Sequence, residues 1–323
     1  MIKKKIGLIL KIAISALLLF ILFSEVGINE PLSLLKNVDL GILLIIFILS
    51  IIVLFIGSLN IKILANKLNK QIGIWRMFNY YTTSHSIGNL LPGKFGDLSI
   101  LYFFKKDGLK IGESGAMYFI DKAISLALLL LASLIGMFIF IEPLGRGTII
   151  FLFALFLILL IFLLGYRKIF IFAKRILGNY LQKFEGFQST IELYLRHGKK
   201  EIFYNFVLTL VRLLLSALVI LLAFKSIDPD IQIRFIHVIT IYALTAIISL
   251  LPISLSGLGI RESIAVLLYS YLGISPQLSF SAYLLLLIFK VVFTALFILK
   301  YFIFAGHAKA DSSFDLLTKH NPP

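Results

Sequence analysis

The sequence contains no cysteine and few acidic residues, and both features narrow the classes of protein to which it can belong. Without cysteine, the chain has no disulfide framework and no thiolate metal site. Its 323 residues include 16 acidic side chains against 31 basic ones, a formal net charge of +15. The sequence also lacks metal-ligand spacing, a Walker-type phosphate loop and a nucleophile elbow. We therefore predict no catalytic residues, no metal site and no cofactor.

Apolar sequence dominates the chain and predicts its class. Hydrophobic residues make up 60% of it and the mean hydropathy is +1.02, which is too apolar for a soluble domain. The basic residues lie in short loops between apolar runs, as in the positive-inside pattern of membrane proteins, so we expect no binding of nucleic acid. The start resembles a signal sequence, but no small-residue cleavage site follows the apolar run over 6–23. We therefore predict a retained first helix.

The apolar pattern predicts an all-α polytopic membrane protein with six full spans and two re-entrant helical hairpins. The hairpins are predicted over about 77–104 and 235–274, since both stretches contain Pro and Gly breaks. The first would enter from the cytoplasmic side and the second from the outer side, which would make an inverted-topology repeat. The predicted spans cover about 6–24, 40–61, 114–140, 148–165, 202–224 and 278–300.

The distribution of lysine and arginine predicts the orientation. Most basic residues fall in the segments that lie inside when the N-terminus is inside, and this places both termini in the cytoplasm of a cell-membrane protein. We expect one transmembrane domain over 1–304 and a short cytoplasmic tail over 305–323. The basic segment 166–201 is expected to form interfacial amphipathic helices against anionic headgroups, or else a solvated loop.

Two broken segments echo each other within the apolar sequence. Residues 89–97 read NLLPGKFGD and residues 250–262 read LLPISLSGLGIRE. Corresponding broken segments in two halves are typical of a transporter's binding site. We expect Asn89 and Ser254 to cap the breaks by bonding freed backbone groups. The residues expected to form the breaks themselves are Pro92, Gly93, Gly96, Pro252, Gly257 and Gly259.

Charged residues inside apolar segments usually face the bundle interior and find partners there. Opposite charges close in sequence predict local compensation at positions 94/97, 121/122 and 261/262. Arg212 and Lys290 have no acid nearby in sequence and would suit a phosphate, although Lys290 could instead pair with one of the acids. His85 could relay protons or be a hydrogen-bonded residue of the first hairpin. The eight charges are Lys94, Asp97, Asp121, Lys122, Arg212, Arg261, Glu262 and Lys290.

These motifs resemble those of a known family. Residues 92–97, preceded by Asn89, resemble the first signature of the lysylphosphatidylglycerol synthase transmembrane-domain superfamily, and residues 252–262 resemble its second. The resemblance covers roughly residues 5–304 and implies a free-standing, flippase-like protein that moves lipid headgroups across the bilayer. The family commonly has Glu-Arg and then Asp where this chain has Asp121-Lys122 and then Ser125. It usually has Gly-Gly where this chain has Ser256-Gly257.

The sequence therefore predicts a translocase for an anionic phospholipid or polyprenyl-phosphate-linked headgroup. Its partners would be membrane lipids, together with a glycosyltransferase or lipid synthase, and oligomers are compatible with the sequence. The alternatives are a membrane-embedded transferase with Asp97 or Glu262 as base, and a non-transporting scaffold for a glycosyltransferase. We expect two headgroup sites, at 94/97 and 261/262, with Arg212 and Lys290 between them. Asp121 and Lys122 are expected to form a structural ion pair or a substrate contact.

Overall fold

The computed structural model describes residues 2–27, 29–136, 154, 185–251 and 253–318. Within these ranges the chain is helical and contains no strand. Most of the predicted span 148–165 lies outside the described residues, as do Pro252 and the larger part of the basic segment. The remainder of that segment forms one short helix and the start of a long one.

Eleven α-helices and two 3-10 helices form the described fold. The breaks predicted from Pro and Gly coincide with the 3-10 helices Pro92–Ser99 and Leu255–Gly257. The α-helices are α1 (Ile2–Val26), α2 (Asn29–Lys36), α3 (Leu40–Lys67), α4 (Ile74–Leu90), α5 (Ile100–Lys106), α6 (Ile111–Gly136), α7 (Phe187–His197), α8 (Lys199–Ile227), α9 (Phe235–Ile248), α10 (Ile260–Ser270) and α11 (Pro276–Thr318).

Four helices of the described chain are long and apolar enough to cross a membrane. They are α3, α6, α8 and α11, which coincide with four of the predicted spans. The end of α1 and α2 together would make a fifth candidate, although the two are bent by 84°. The prediction of an all-α membrane protein is therefore confirmed, whereas six spans, re-entrant hairpins and an inverted repeat stay predictions.

The order of elements is repeated along the chain. A long helix, a shorter helix, a 3-10 break, another short helix and a second long helix occur as α3 to α6 and again as α8 to α11. The two halves are joined by packing of α3 along α8, and α4 of the first half packs against α11 of the second. The two 3-10 helices contact each other, so both breaks lie at the junction of the halves.

Both breaks contain a non-glycine residue in the left-handed region of backbone conformation. Lys94 has a φ of 56° in the first break and Ser256 a φ of 47° in the second. Such conformations cost roughly 1–2 kcal/mol for a residue with a Cβ, and they concentrate at functional sites. The chain therefore keeps two strained residues at the same place in the molecule.

The first break also depends on close backbone packing at Gly96. A Cβ built on Gly96 would lie 2.4 Å from the carbonyl carbon and oxygen of Ile87 on α4. Backbone atoms cannot move aside as a flexible side chain can, so only glycine lets the 3-10 helix pack this closely on α4. Gly88 serves the same contact from the other side, because its Cβ would lie 1.7 Å from Oδ1 of Asp97.

We predict that Gly96→Ala lowers stability by about 1–3 kcal/mol, the usual cost of overpacking. The measurement is the thermal unfolding of detergent-purified protein. Gly73→Ala is the matched control, since a Cβ on Gly73 would meet nothing within 4 Å. Equal melting temperatures for the two variants would contradict the close approach of the break to α4.

Candidate functional site

A cavity of about 250 Å³ lies where the two breaks meet. Its charged lining residues are Lys94 of the first break, Arg261 at the start of α10 and Lys290 of α11. His85 and Ser256 add polar groups, and no carboxylate lines the cavity among the described residues. The charge that the cavity presents to a ligand is therefore positive.

Apolar side chains form another part of the cavity lining. Phe289, Phe293 and Phe297 follow one another along α11 at helical spacing, with ring centroids 6.4 and 6.2 Å apart. Val53 and Leu54 of α3, together with residues of α8, complete this apolar part of the lining. One cavity thus combines a cationic surface with an aromatic and aliphatic one.

Two tyrosine rings hold the guanidinium of Arg261. Its central carbon lies 6.0 Å from the ring centroid of Tyr242 and 5.7 Å from that of Tyr283, within the range of cation–π attraction. Its Nε is buried and makes no hydrogen bond within the described part of the chain. The side chain is therefore held at the cavity wall mainly by the rings, and the guanidinium keeps donor capacity for a ligand.

The predicted pairing of Arg261 with Glu262 is wrong. Oε2 of Glu262 accepts a hydrogen bond of 2.7 Å from the backbone N–H of Gly259, the residue that precedes α10. Glu262 is only 6% exposed and does not line the cavity. The carboxylate fixes the entry into α10, which leaves the neighbouring arginine without an acidic partner.

Lys290 connects α11 to the second break. Its Nζ donates to the hydroxyl of Ser256 at 3.3 Å and to the carbonyl of the same residue at 3.5 Å. Both are long, neutral contacts, so the ammonium is oriented but its charge is not balanced. The alternative that Lys290 pairs with an acid is not observed.

The remaining charges of the interior form, together with the uncharged Asn205, a second group that we call the inner polar cluster: Asp97, Asp121, Lys122, Asn205 and Arg212. Nζ of Lys122 lies 3.6 Å from Asp121 and 3.9 Å from Asp97. The predicted pairing at 121/122 is thus confirmed. Lys94 forms no direct ion pair with Asp97, although the two charges attract each other as predicted. Asp97 reaches across to α6 because both its 3-10 helix and Lys122 face the bundle interior.

Asn205 and Arg212 of α8 complete the inner polar cluster. Nδ2 of Asn205 donates to Oδ1 of Asp121 at 3.2 Å and to the backbone carbonyl of Asn60 at 3.3 Å. Arg212 donates to the hydroxyls of Tyr81 at 3.2 Å and Ser125 at 2.9 Å. Arg212 does not line the cavity, so its position between two headgroup sites stays untested.

His85 lies between the two groups. It lines the cationic cavity and also a void of about 10 Å³ beside Asp97 and Lys122. Its ring stacks on that of Tyr81 at a centroid distance of 6.1 Å. The cavity and the inner polar cluster are therefore neighbours, separated by one imidazole ring.

The expected caps of the breaks are not observed. Nδ2 of Asn89 donates instead to the hydroxyl of Thr294 on α11 at 3.1 Å, across the mouth of the cavity. Ser254 is fully buried but makes no capping hydrogen bond. The second break is held by another residue, Ser15 of α1, whose hydroxyl accepts a 2.9 Å bond from the N–H of Leu255. Nothing in the local sequence of α1 pointed to that contact.

The chain matches the model of a known protein family. A family model described as the lysylphosphatidylglycerol synthase TM region matches residues 8–298. The chain belongs to this family. A search among curated proteins gives no match. The family membership confirms the resemblance read from the two motifs and makes this a membrane protein related to lipid handling.

The two departures from the family's usual motifs both have a visible structural setting. Ser125, where the family commonly has an acid, accepts a hydrogen bond from Arg212 and so supplies a neutral partner. Ser256, where the family usually has glycine, occupies the left-handed conformation and offers its hydroxyl to Lys290. The residues missed in the sequence are polar ones that lack charge, above all Asn60, Asn205 and Tyr242.

We predict that Asn205→Ala lowers stability by about 1–3 kcal/mol, because it leaves Oδ1 of fully buried Asp121 without its hydrogen-bond donor. Thermal unfolding checks this, with Asn37→Ala, at an exposed position near the end of α2, as the matched control. If both variants melt like the wild type, the inner polar cluster is not a dry hydrogen-bonded network.

Proposed function

We propose that this protein is a lipid translocase that binds an anionic headgroup in the cavity between the two breaks. The observation that carries the proposal is the lining of one cavity both by Lys94, Arg261 and Lys290 and by apolar side chains. A lipid needs both surfaces at once, a cationic one for its phosphate and an apolar one for its chain. A soluble anion would use only the first.

The lining side chains suit a phosphate group. Arginine can grip two phosphate oxygens with parallel N–H donors, and the two lysines supply point charges around them. Arg261 also lies at the beginning of α10, where the helix dipole favours a negative charge. The tyrosine rings beside it restrict its rotamers, so little side-chain entropy is lost when the phosphate binds.

The proposal includes a path to each side of the membrane. We propose that α4 to α5 and α9 to α10 are re-entrant hairpins of opposite orientation, with both termini in the cytoplasm. The repeated element order and the contact between the breaks support this arrangement. The break at Lys94 would then control access from the cytoplasmic side, and the break before Arg261 access from the outer side.

The proposed orientation predicts that α7 and the α8–α9 connection lie on opposite sides of the membrane. Single cysteines at Ser189 and Asp230, both exposed, should react with an impermeant maleimide from opposite sides. The chain has no cysteine of its own, so each variant reports one site. Labelling of both from the same side would contradict the proposed topology.

For transport itself, we predict that Arg261→Lys reduces the rate of headgroup flipping in liposomes at least about tenfold, because lysine keeps the charge but loses the bidentate grip. The melting temperature should change little, since Glu262 caps α10 independently of Arg261. The assay follows fluorescent lipid analogues that become accessible to a membrane-impermeant quencher.

Lys300→Arg is the matched control for that assay, because Lys300 lies outside the cavity lining and donates to Asn79. Flipping at the wild-type rate by Arg261→Lys would refute recognition of the headgroup by the arginine fork. No flipping by the wild-type protein, together with a modified lipid found by mass spectrometry, would favour the transferase instead. The absence of both flipping and a modified lipid would favour the scaffold.

A further inference from the structure

The cavity has more positive charge than a common phospholipid can balance. Lys94, Arg261 and Lys290 line it, and none of them makes an ion pair within the described residues. Asp97 attracts Lys94 and Glu262 attracts Lys290 from beyond ion-pair distance, and these buried acids have closer partners. Asp97 and Asp121 lie beside Lys122, and Glu262 accepts from the N–H of Gly259.

A phosphodiester headgroup carries one negative charge and would leave two of the three cations unbalanced. An uncompensated charge in a partly dry site is strongly unfavourable, so a ligand with more negative charge is favoured. A terminal phosphate carries about −1.5 to −2 charges near pH 7, and it offers three acceptor oxygens. A diphosphate carries still more.

The size of the cavity points in the same direction. At about 250 Å³ it is smaller than the roughly 300–1,000 Å³ of sites that enclose drug-sized ligands. A compact phosphate or diphosphate fits such a volume better than a headgroup extended by a sugar or an amino acid. The aromatic wall of Phe289, Phe293 and Phe297 then remains for a hydrocarbon chain.

We infer that the ligand of this cavity is a lipid that ends in a phosphomonoester or a diphosphate, so that its headgroup carries about two or more negative charges. This inference rests on the proposed function for the location of the lipid site, and it deepens that proposal by naming the class of headgroup. Its basis is the combination of three unpaired cations, a small volume and an apolar wall.

Three amphiphiles with the same chain test the inference: dodecyl phosphate, its monomethyl ester and dodecyl diphosphate. Their affinities are measured on the full-length protein in a neutral detergent at pH 7, where dodecyl phosphate carries about −1.5 to −2 charges. Dodecyl phosphate should bind at least about tenfold more tightly than the methyl ester, since the two differ by up to about one charge at a cationic site. Dodecyl diphosphate should bind at least as tightly as dodecyl phosphate.

Lys290→Gln is the informative variant, because glutamine can still donate to Ser256 while the charge is removed. It should reduce the preference for the phosphate over the methyl ester but not abolish it, since Lys94 and Arg261 remain at the cavity. Lys300→Gln, which removes a charge outside the cavity lining, should leave the preference unchanged. A preference in Lys290→Gln as large as that of the wild type would overturn the assignment of the charge to this cavity.

Equal affinity of the wild type for dodecyl phosphate and its methyl ester would overturn the inference. If inorganic diphosphate binds as tightly as dodecyl diphosphate, the hydrocarbon chain adds no affinity and the ligand is not a lipid. These outcomes are separate from the fate of the proposed function. Flipping in liposomes with equal affinities would refute only the headgroup class, whereas a charge preference without flipping would refute only translocation.

Discussion

The contact between the two 3-10 helices is the constraint on which the cavity depends. The contact between the breaks brings Lys94, which lies in the first break, and Arg261, in the helix that begins directly after the second, to one cavity. Freed backbone groups are tolerable at membrane depth only where protein or a polar cavity surrounds them. The cavity and the breaks therefore require each other.

The inner polar cluster gives the buried charges near that cavity partners within the protein. Two carboxylates share Lys122, and Asn205 ties Asp121 to the backbone of α3. A buried ion pair adds little stability by itself, but a hydrogen-bonded network can favour one arrangement of helices. Here Oδ1 of Asp97 and Oδ2 of Asp121 have no hydrogen-bond partner within the described residues, so the network is only partly bonded. This network lies at the packing of α3 on α8, where the two halves of the described chain are joined.

The sequence predicted the class of fold, both breaks and the charged residues of the interior. It did so because apolar length, Pro and Gly are local signals that need no knowledge of packing. Pairing could not be read in the same way. Glu262 bonds the backbone three residues before it, and Asp97 reaches Lys122 on another helix. The tyrosines around Arg261 were missed because an aromatic residue in a membrane span carries no signal of its own.

The hydrogen bond between Ser256 and Lys290 makes the residue types at these two positions depend on each other. Glycine in place of Ser256 would relieve the backbone, but it would remove the hydroxyl that faces Lys290. In a relative with the usual glycine pair, a lysine at the position of Lys290 would have only the carbonyl to bond. Residues at these two positions should therefore covary among members of the family, with serine accompanying lysine and glycine accompanying an uncharged side chain.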